Sequence, residues 1–136
     1  MKIKNSEILT LFEAINMLES VKPDLPIKIF YANNKNRNIL STPFDEINKA
    51  RIKLLEKYGV IDKESQFGFK LEKDNRTFAF KNKDAKKSFE NDLKPIMDEE
   101  VDISIHKLSI EEFNGIDIER KLFPLLDIYL QILVTD

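Results

Sequence analysis

The chain has 136 residues with 22 Lys or Arg, 24 Asp or Glu and one His, and its formal net charge of −2 argues against a protein that binds nucleic acid through an overall positive charge. It contains no Cys, which excludes disulfides, thiolate metal sites and thiol catalysis. The length predicts a single domain, 1–136, and the lack of a secretory signal or a long apolar run predicts a cytoplasmic protein without a membrane span.

The first predicted element is a helix over 7–21, with Ser6 as its N-terminal cap. Its apolar side chains recur at helical spacing and predict one buried stripe, made of Ile8, Leu11, Phe12, Ile15 and Leu18. Pro23 and Pro26 end this helix. Residues 26–38 fit either a strand or a helix, because Pro26 suits a first helical position while repeated Asn residues weaken both assignments.

A clearer helix signal follows at Thr42 and Pro43, which suit the cap and the first position of a helix that Gly59 ends. Whether 26–58 forms one kinked helix or two elements stays open at this point, because Pro43 removes one backbone donor from the middle of the region. The helix carries a basic row at a spacing of four that we expect to face solvent, Lys49, Lys53 and Lys57.

An antiparallel hairpin is predicted over 67–80. Apolar residues alternate on both sides of a turn at Asp74 and Asn75, namely Phe67, Phe69, Leu71, Phe78 and Phe80. We expect the four Phe side chains to point mainly into the core. Asn82 then caps a helix that ends at about Asp98, and alternation over 101–106 predicts a third strand.

The last predicted helix, 122–134, is apolar on almost every side, since only Asp127 and Gln131 are polar. A helix that packs on one side of a small domain needs a single apolar face, so this helix is either central within its own fold or covered by a partner or a second copy as well as by the core, and we expect the latter. The residues expected at that contact are Leu125, Ile128, Leu130, Ile132 and Val134. The elements together predict an α+β fold, with helices, a small antiparallel sheet of the hairpin plus one strand, and an apolar C-terminal helix.

Four segments, taken in order, carry a resemblance to a known family. They are LPIK at 25–28 with Tyr31 and Asn34, KAR through LLEKYG over 49–59, FAF at 78–80 and EEVDI at 99–103. Over about 25–108 the chain resembles a family of small uncharacterised proteins from tailed phages of Gram-positive bacteria. The resemblance implies a long helix that includes 26–38, and no catalytic residue carries over from it. Pro43 departs from the family pattern.

Few residues of the sequence suit catalysis. The three glycines lie too far apart for a phosphate-binding loop, and His106 is the only histidine. One acidic cluster has ligands that suit Mg²⁺ but lacks a second set at metal spacing, namely Asp98, Glu99, Glu100 and Asp102. We therefore expect no catalytic residue, no cofactor and no metal. A small metal-dependent enzyme that uses this acidic turn is the third alternative for the function.

A nucleic-acid-binding module is the second alternative. Its basic helix and aromatic hairpin would use Lys49, Arg51, Lys53, Lys57, Lys70 and Arg76. Lysines hold phosphates, and aromatic side chains on a sheet can stack bases. The acidic balance of the whole chain argues against this alternative, and alternating Phe residues are also what a hairpin needs to cover helices.

The function predicted first is that of a non-enzymatic phage accessory protein that acts by protein–protein interaction, either in particle assembly or by engaging a host factor. The class of function follows from the missing chemistry. The phage context, and with it the cytoplasm of the host cell, follows from the resemblance alone.

Overall fold

The structure, a computed structural model, describes residues 1–22, 24–113, 116 and 123–135, with the backbone alone at 123–126 and 135. Its helices are α1 (Asn5–Val21), α2 (Ile27–Tyr58), α3 (Lys83–Asp98) and α4 (Phe123–Leu133), with a 3-10 turn at Ile110–Phe113. Its strands are β1 (Lys2–Lys4), β2 (Glu100–Asp102), β3 (Leu108–Ser109) and β4 (Val134–Thr135). The predicted α+β class is confirmed. In this part of the chain, no helix combines the length and apolarity that a bilayer crossing requires.

The chain groups into two compact units. Unit 1 is Met1–Phe44 together with Glu100–Asp136, and unit 2 is Asp45–Glu99. The first half of α2 belongs to unit 1 and the second half to unit 2. Because the division falls within a continuous helix, the single domain expected from the length stays a prediction.

The core of unit 1 forms along α1. The predicted apolar stripe is confirmed, because four of its members are buried, namely Ile8, Leu11, Ile15 and Leu18. The fifth, Phe12, is half-buried and stacks on Phe44 with the ring centroids 4.2 Å apart. Helix α4 packs against α1 and buries Tyr129 and Leu133. Burial of this many large apolar side chains is the main favourable contribution to the stability of unit 1.

Two short sheets belong to unit 1. β1 pairs antiparallel with β2, and β3 pairs parallel with β4. β1 leads directly into α1, so the helix begins at Asn5 and the predicted cap at Ser6 is wrong. The Glu7 carboxylate accepts a hydrogen bond from the Lys4 backbone N–H at 3.0 Å instead, and a carboxylate in the first turn also interacts favourably with the helix dipole.

Unit 2 has a second core between the end of α2, α3 and the segment 59–80. Leu55, Phe69 and Phe89 are buried there. The helix predicted from Asn82 to Asp98 is confirmed, because the Asn82 Oδ1 accepts a hydrogen bond from the Ala85 backbone N–H at 2.7 Å and α3 ends at Asp98.

The hairpin of unit 2 forms as isolated antiparallel bridges, with Leu71 opposite Phe78. The predicted sheet combined the hairpin with a strand at 101–106. The strand at 100–102 pairs with β1 instead, so this antiparallel sheet consists of β1 and β2. The core prediction for the four Phe residues is wrong at Phe67, which is 58% exposed. Phe67 lies in a turn closed by the hydrogen bond from the Asp62 N–H to the Gly68 carbonyl, where the period-two pattern of a strand no longer applies.

The turn predicted at Asp74 and Asn75 is confirmed, and hydrogen bonds to a carboxylate stabilise it. Asp74 accepts from the backbone N–H groups of Thr77 and Arg76 at 2.9 Å each, and from the Thr77 hydroxyl at 2.7 Å. These bonds, the one from the Thr77 backbone first, lower the pKa of Asp74 to about 2. Asn75 adopts a φ of 59°, a left-handed conformation that Asn tolerates better than most residues.

Helix α2 continues through Pro43, which answers the question left open for 26–58 in favour of one helix. Leu40 and Ile47 are buried on either side of the proline, and their burial offsets the missing backbone hydrogen bond. The helix at 26–38 that the resemblance implies is present from Ile27 onward. Gly59 follows the last helical residue as predicted, and a Cβ atom there would lie 2.7 Å from the Leu55 carbonyl oxygen.

Candidate functional site

The first half of α2 has an unusual distribution of side chains. Asn33 and Asn36 are fully buried, whereas Ile27, Phe30 and Tyr31 are 77%, 48% and 54% exposed. Buried polar groups and exposed clusters of large apolar groups are the two departures from ordinary surface composition that carry information. The first half of α2 therefore carries the candidate site.

The Asn36 amide fixes a distant segment against α2. Its Nδ2 donates to the His106 carbonyl at 2.8 Å, and its Oδ1 accepts from the His106 backbone N–H at 2.7 Å. Two hydrogen bonds from one buried amide define both the position and the direction of the chain at residue 106. The sequence placed His106 on the polar face of a strand over 101–106, but β2 ends at Asp102 and this amide takes the place of a strand partner.

Asn33 makes a corresponding contact with α4. Its Oδ1 accepts a hydrogen bond from the Tyr129 hydroxyl at 2.5 Å, and burial of that hydroxyl raises the pKa of Tyr129 above its usual range. The Asn33 Nδ2 and the Glu19 Oε1 are buried without a hydrogen-bond partner among the residues described. The other Glu19 oxygen pairs with Arg37. The buried side of α2 therefore positions α4 and the chain at residue 106. The opposite side of the helix, at residues 27–31, faces outward.

That outer side presents an apolar surface, which we call the α2 face and which consists of Ile27, Phe30 and Tyr31. Spacings of three and four residues place them on the same side of the helix, away from the buried Ile29 and Ala32. Neighbouring large apolar side chains that stay exposed are a common feature of interaction surfaces. The α2 face could not be identified from the sequence, because residues 26–38 fit either a strand or a helix. Only a helical assignment places Asn33 and Asn36 on the buried side and Ile27, Phe30 and Tyr31 on the exposed side.

Beside the α2 face lies an open cleft of about 270 Å³, which we call the 106–112 cleft. Lys28 and Tyr31 contribute to it from α2, and residues 106–109 and Glu112 contribute from the other segment. Tyr31 belongs to both the cleft and the α2 face, and its ring meets the His106 ring edge to face at 5.8 Å. The α2 face and the cleft therefore form one continuous surface of unit 1.

Cationic groups surround this surface. The Lys28 Nζ lies 3.6 Å from the Glu112 Oε1, with the Lys28 side chain 74% exposed, so this ion pair is weak and easily exchanged. Lys107 is exposed and has no ion-pair partner within the residues that the structure describes. The Lys35 Nζ lies 5.4 Å from the centroid of the Tyr31 ring. The arrangement suits an anionic group that binds next to an apolar one.

The residues predicted on α4 fall in several environments. Ile132 is buried in the core, where it cannot contact a partner, and Ile128 and Val134 are half-buried. Val134 lies in β4, opposite Leu108. Leu130 is 40% exposed and remains accessible, while Leu125 lies outside the side chains that the structure describes. Of the four predicted residues whose side chains are described, Leu130 alone is therefore exposed to a partner, because α1 packs against α4 and Leu108 of β3 pairs with Val134.

The basic residues of the nucleic-acid alternative all lie in unit 2. Exposed among them are Lys49, Lys53, Lys57, Lys70 and Arg76. Arg51 is half-buried and donates to the Asn48 Oδ1 at 3.3 Å, and the Lys53 Nζ lies 3.7 Å from the Glu56 carboxylate. Unit 2 holds thirteen Lys or Arg against twelve Asp or Glu, a net charge of +1. These residues therefore lack the charge excess that draws a protein to nucleic acid.

The acidic residues considered for a metal are divided by the fold. Asp98 ends α3 and Glu99 follows it in unit 2, while Glu100 and Asp102 lie in β2 of unit 1. The Asp102 carboxylate accepts a hydrogen bond from the Met1 ammonium at 2.9 Å, which lowers the pKa of Asp102. Within the residues described, no group of three or more His, Asp or Glu is arranged to hold a metal ion.

Comparison of the chain with protein-family models, with curated proteins and with solved structures gave no match. A relationship to phage proteins therefore stays a prediction made from the segments quoted above, and the function has to be argued from the surface itself.

Proposed function

We propose that the chain is a non-enzymatic protein that acts by binding another protein through the α2 face. The observation that carries this proposal is the exposure of Ile27, Phe30 and Tyr31 as neighbours on one helix, while two Asn residues of the same helix are buried. A side chain of this size contributes roughly 1.5–3 kcal/mol when it passes from full exposure to full burial, and covering the 48–77% that is exposed here contributes a proportionate share. Three such anchors are enough for a specific contact, since a few aromatic and aliphatic residues carry most of the energy of an interface.

The partner we propose has an apolar ridge or groove that receives the α2 face, bordered by acidic side chains. Residues at i, i+3 and i+4 of a helix are the usual anchors when a helix lies in an apolar groove. Acidic borders follow from the positions of Lys28 and Lys35, which flank the apolar residues. On the strength of the resemblance we place this protein among the accessory proteins of tailed phages, acting in particle assembly or on a host factor.

Affinity capture with matched variants tests the proposal. The tagged chain, an Ile27→Ser/Phe30→Ser variant and an Ile52→Ser control are each incubated with lysates of infected and uninfected Gram-positive cells. Ile52 lies on the same helix in unit 2 and is 46% exposed, close to the exposure of Phe30. We expect one protein to be retained by the wild type and the control and lost by the double variant, with all three melting at the same temperature.

Other results would contradict the proposal or identify a different binding partner. Retention of the same proteins by the double variant, or of none by any form, contradicts binding through the α2 face. Recovery of the chain itself makes the occupant a second copy, which light scattering across a concentration series verifies. Salt-sensitive binding to single-stranded DNA that disappears in Phe67→Ala supports the nucleic-acid alternative instead.

A further inference from the structure

We infer that the 106–112 cleft binds a carboxylate of the partner, carried next to an apolar side chain that lies on Tyr31. This inference rests on the proposed function, because it names the group that enters the cleft when a protein binds the α2 face. Tyr31 joins the two surfaces, so a residue adjacent to the one that covers the α2 face reaches the cleft directly.

The charges of the cleft favour an anion. Lys28 and Lys107 contribute two ammonium groups, and Glu112 contributes one carboxylate. Within the residues described, Glu112 pairs with Lys28, at 3.6 Å, and not with Lys107. An incoming carboxylate can take the place of Glu112 beside Lys28 or bind between Lys28 and Lys107, and in both cases the cleft approaches charge balance.

A carboxylate fits these observations better than a phosphate. Lys28 already pairs with a carboxylate in this structure, at a distance that an ammonium and a carboxylate oxygen adopt in ordinary ion pairs. Glu112 remains in the cleft and repels a second anion, and this repulsion is greater for a phosphate that carries close to two negative charges than for a carboxylate that carries one. Two lysines also lack the planar fork with which arginine recognises phosphate.

The size and lining of the cleft limit what accompanies the carboxylate. At about 270 Å³ it is at the lower limit of small-molecule sites, so it holds one residue of a partner and not an extended ligand. Leu108, which is buried, and the half-exposed Tyr31 ring supply its apolar surface. A chain-terminal apolar residue, which carries the carboxylate and the apolar side chain on one residue, has this chemistry.

A titration followed by NMR tests the inference without the partner. The ¹⁵N-labelled full chain is titrated with N-acetyl-leucine, which carries an apolar side chain and a free carboxylate, and separately with N-acetyl-leucinamide, which lacks the charge. We expect saturable amide shifts at Lys28, Tyr31 and residues 106–109 with the acid and much weaker binding of the amide. Because an exposed ion pair contributes about 0.2–1 kcal/mol, Lys28→Gln should weaken binding of the acid by a factor of roughly 1.4 to 5.

Two further variants make the result specific. Glu112→Gln removes the competing carboxylate and should tighten binding of the acid, whereas Lys49→Gln, an exposed lysine of unit 2, should leave it unchanged. Equal binding of the acid and the amide, no saturable shift at the cleft, or stronger binding of inorganic phosphate than of the acid overturns the inference. Since the probe is a small molecule, such a failure leaves the capture experiment on the α2 face as a separate test of the proposed function.

Discussion

The two halves of α2 differ in the polar side chains that they bury and in the apolar side chains that they expose. In the second half, 45–58, Ile47 and Leu55 are buried and charged residues cover most of the exposed side. In the first half, two Asn side chains are buried, and an aliphatic residue and two aromatic residues are exposed. One continuous helix therefore contains an ordinary amphipathic segment and a segment in which polarity is partly inverted.

The difference shows what each half does for the protein. The second half packs on the apolar core of unit 2, where burial of Leu55 with Phe69 and Phe89 provides stability. The first half uses hydrogen bonds from buried amides to position the chain at His106 and the Tyr129 hydroxyl. Ile29, Ala32 and Leu40 of this half are buried as well, whereas Ile27, Phe30 and Tyr31 remain exposed and form the α2 face.

The largest expected effect is a difference in stability between substitutions in the two halves of α2. Leu55→Ala should destabilise the protein by about 2–5 kcal/mol, because it leaves a cavity between buried aromatic side chains. Ile27→Ala removes a similar volume from a largely exposed position and should change the free energy of unfolding by no more than about 0.5 kcal/mol. Urea unfolding followed by circular dichroism measures both. A large loss in Ile27→Ala would mean that the α2 face is covered within the protein and is not a binding surface.

Elements with a strong local pattern could be predicted from the sequence. The α1 stripe follows from spacing alone, and α3 follows from the Asn82 cap and the apolar residues after it. β1 could not be predicted, since three residues with only Ile3 buried show no periodicity, and their partner β2 is almost a hundred residues away. Local pattern is a reliable guide only where local interactions decide the structure.

The candidate site could not be predicted for a related reason. Asn33 and Asn36 suit turns when judged by their intrinsic preferences, and their helical positions become favourable only through Tyr129 and His106. These partners lie 96 and 70 residues away along the chain. Sequence spacing likewise cannot bring Lys28 together with the segment at 106–112. The regularity that was available, the apolar pattern of α4, pointed to a set of residues in which Ile132 is buried and Leu130 is exposed.

Replacing a buried amide in the first half of α2 tests its structural role directly. Asn36→Leu should destabilise the protein by roughly 1–3 kcal/mol, because it leaves the His106 backbone N–H and carbonyl without their partner. In an ordinary amphipathic helix the same change at a buried position would be stabilising. Asn48→Leu, at a half-buried position of the second half, is the matched control and should cost less. A rise in the unfolding midpoint of Asn36→Leu would show that the amide has no structural role at this position.

The smallest effect concerns the hydrogen bond between Tyr129 and Asn33. Tyr129→Phe removes the donor to the Asn33 Oδ1 and should lower stability by about 0.5–1.5 kcal/mol at neutral pH. It should also change the dependence of stability on pH. Burial raises the pKa of Tyr129 in the folded protein above the value of 10.0 that applies to the unfolded chain. Above pH 10 the unfolded chain therefore releases this proton first, so the contribution of Tyr129 is complete below pH 10 and is lost as the pH rises towards the folded pKa.

Urea unfolding at a series of alkaline pH values measures this dependence. The wild type should lose stability more steeply above pH 10 than Tyr129→Phe, and Tyr31→Phe, which changes an exposed ring of the α2 face, should follow the wild type. If Tyr129→Phe and the wild type lose stability in parallel, the Tyr129 hydroxyl is not held in a buried environment. The first half of α2 would then position α4 through apolar contacts alone, and the contrast between the two halves would rest on Asn36.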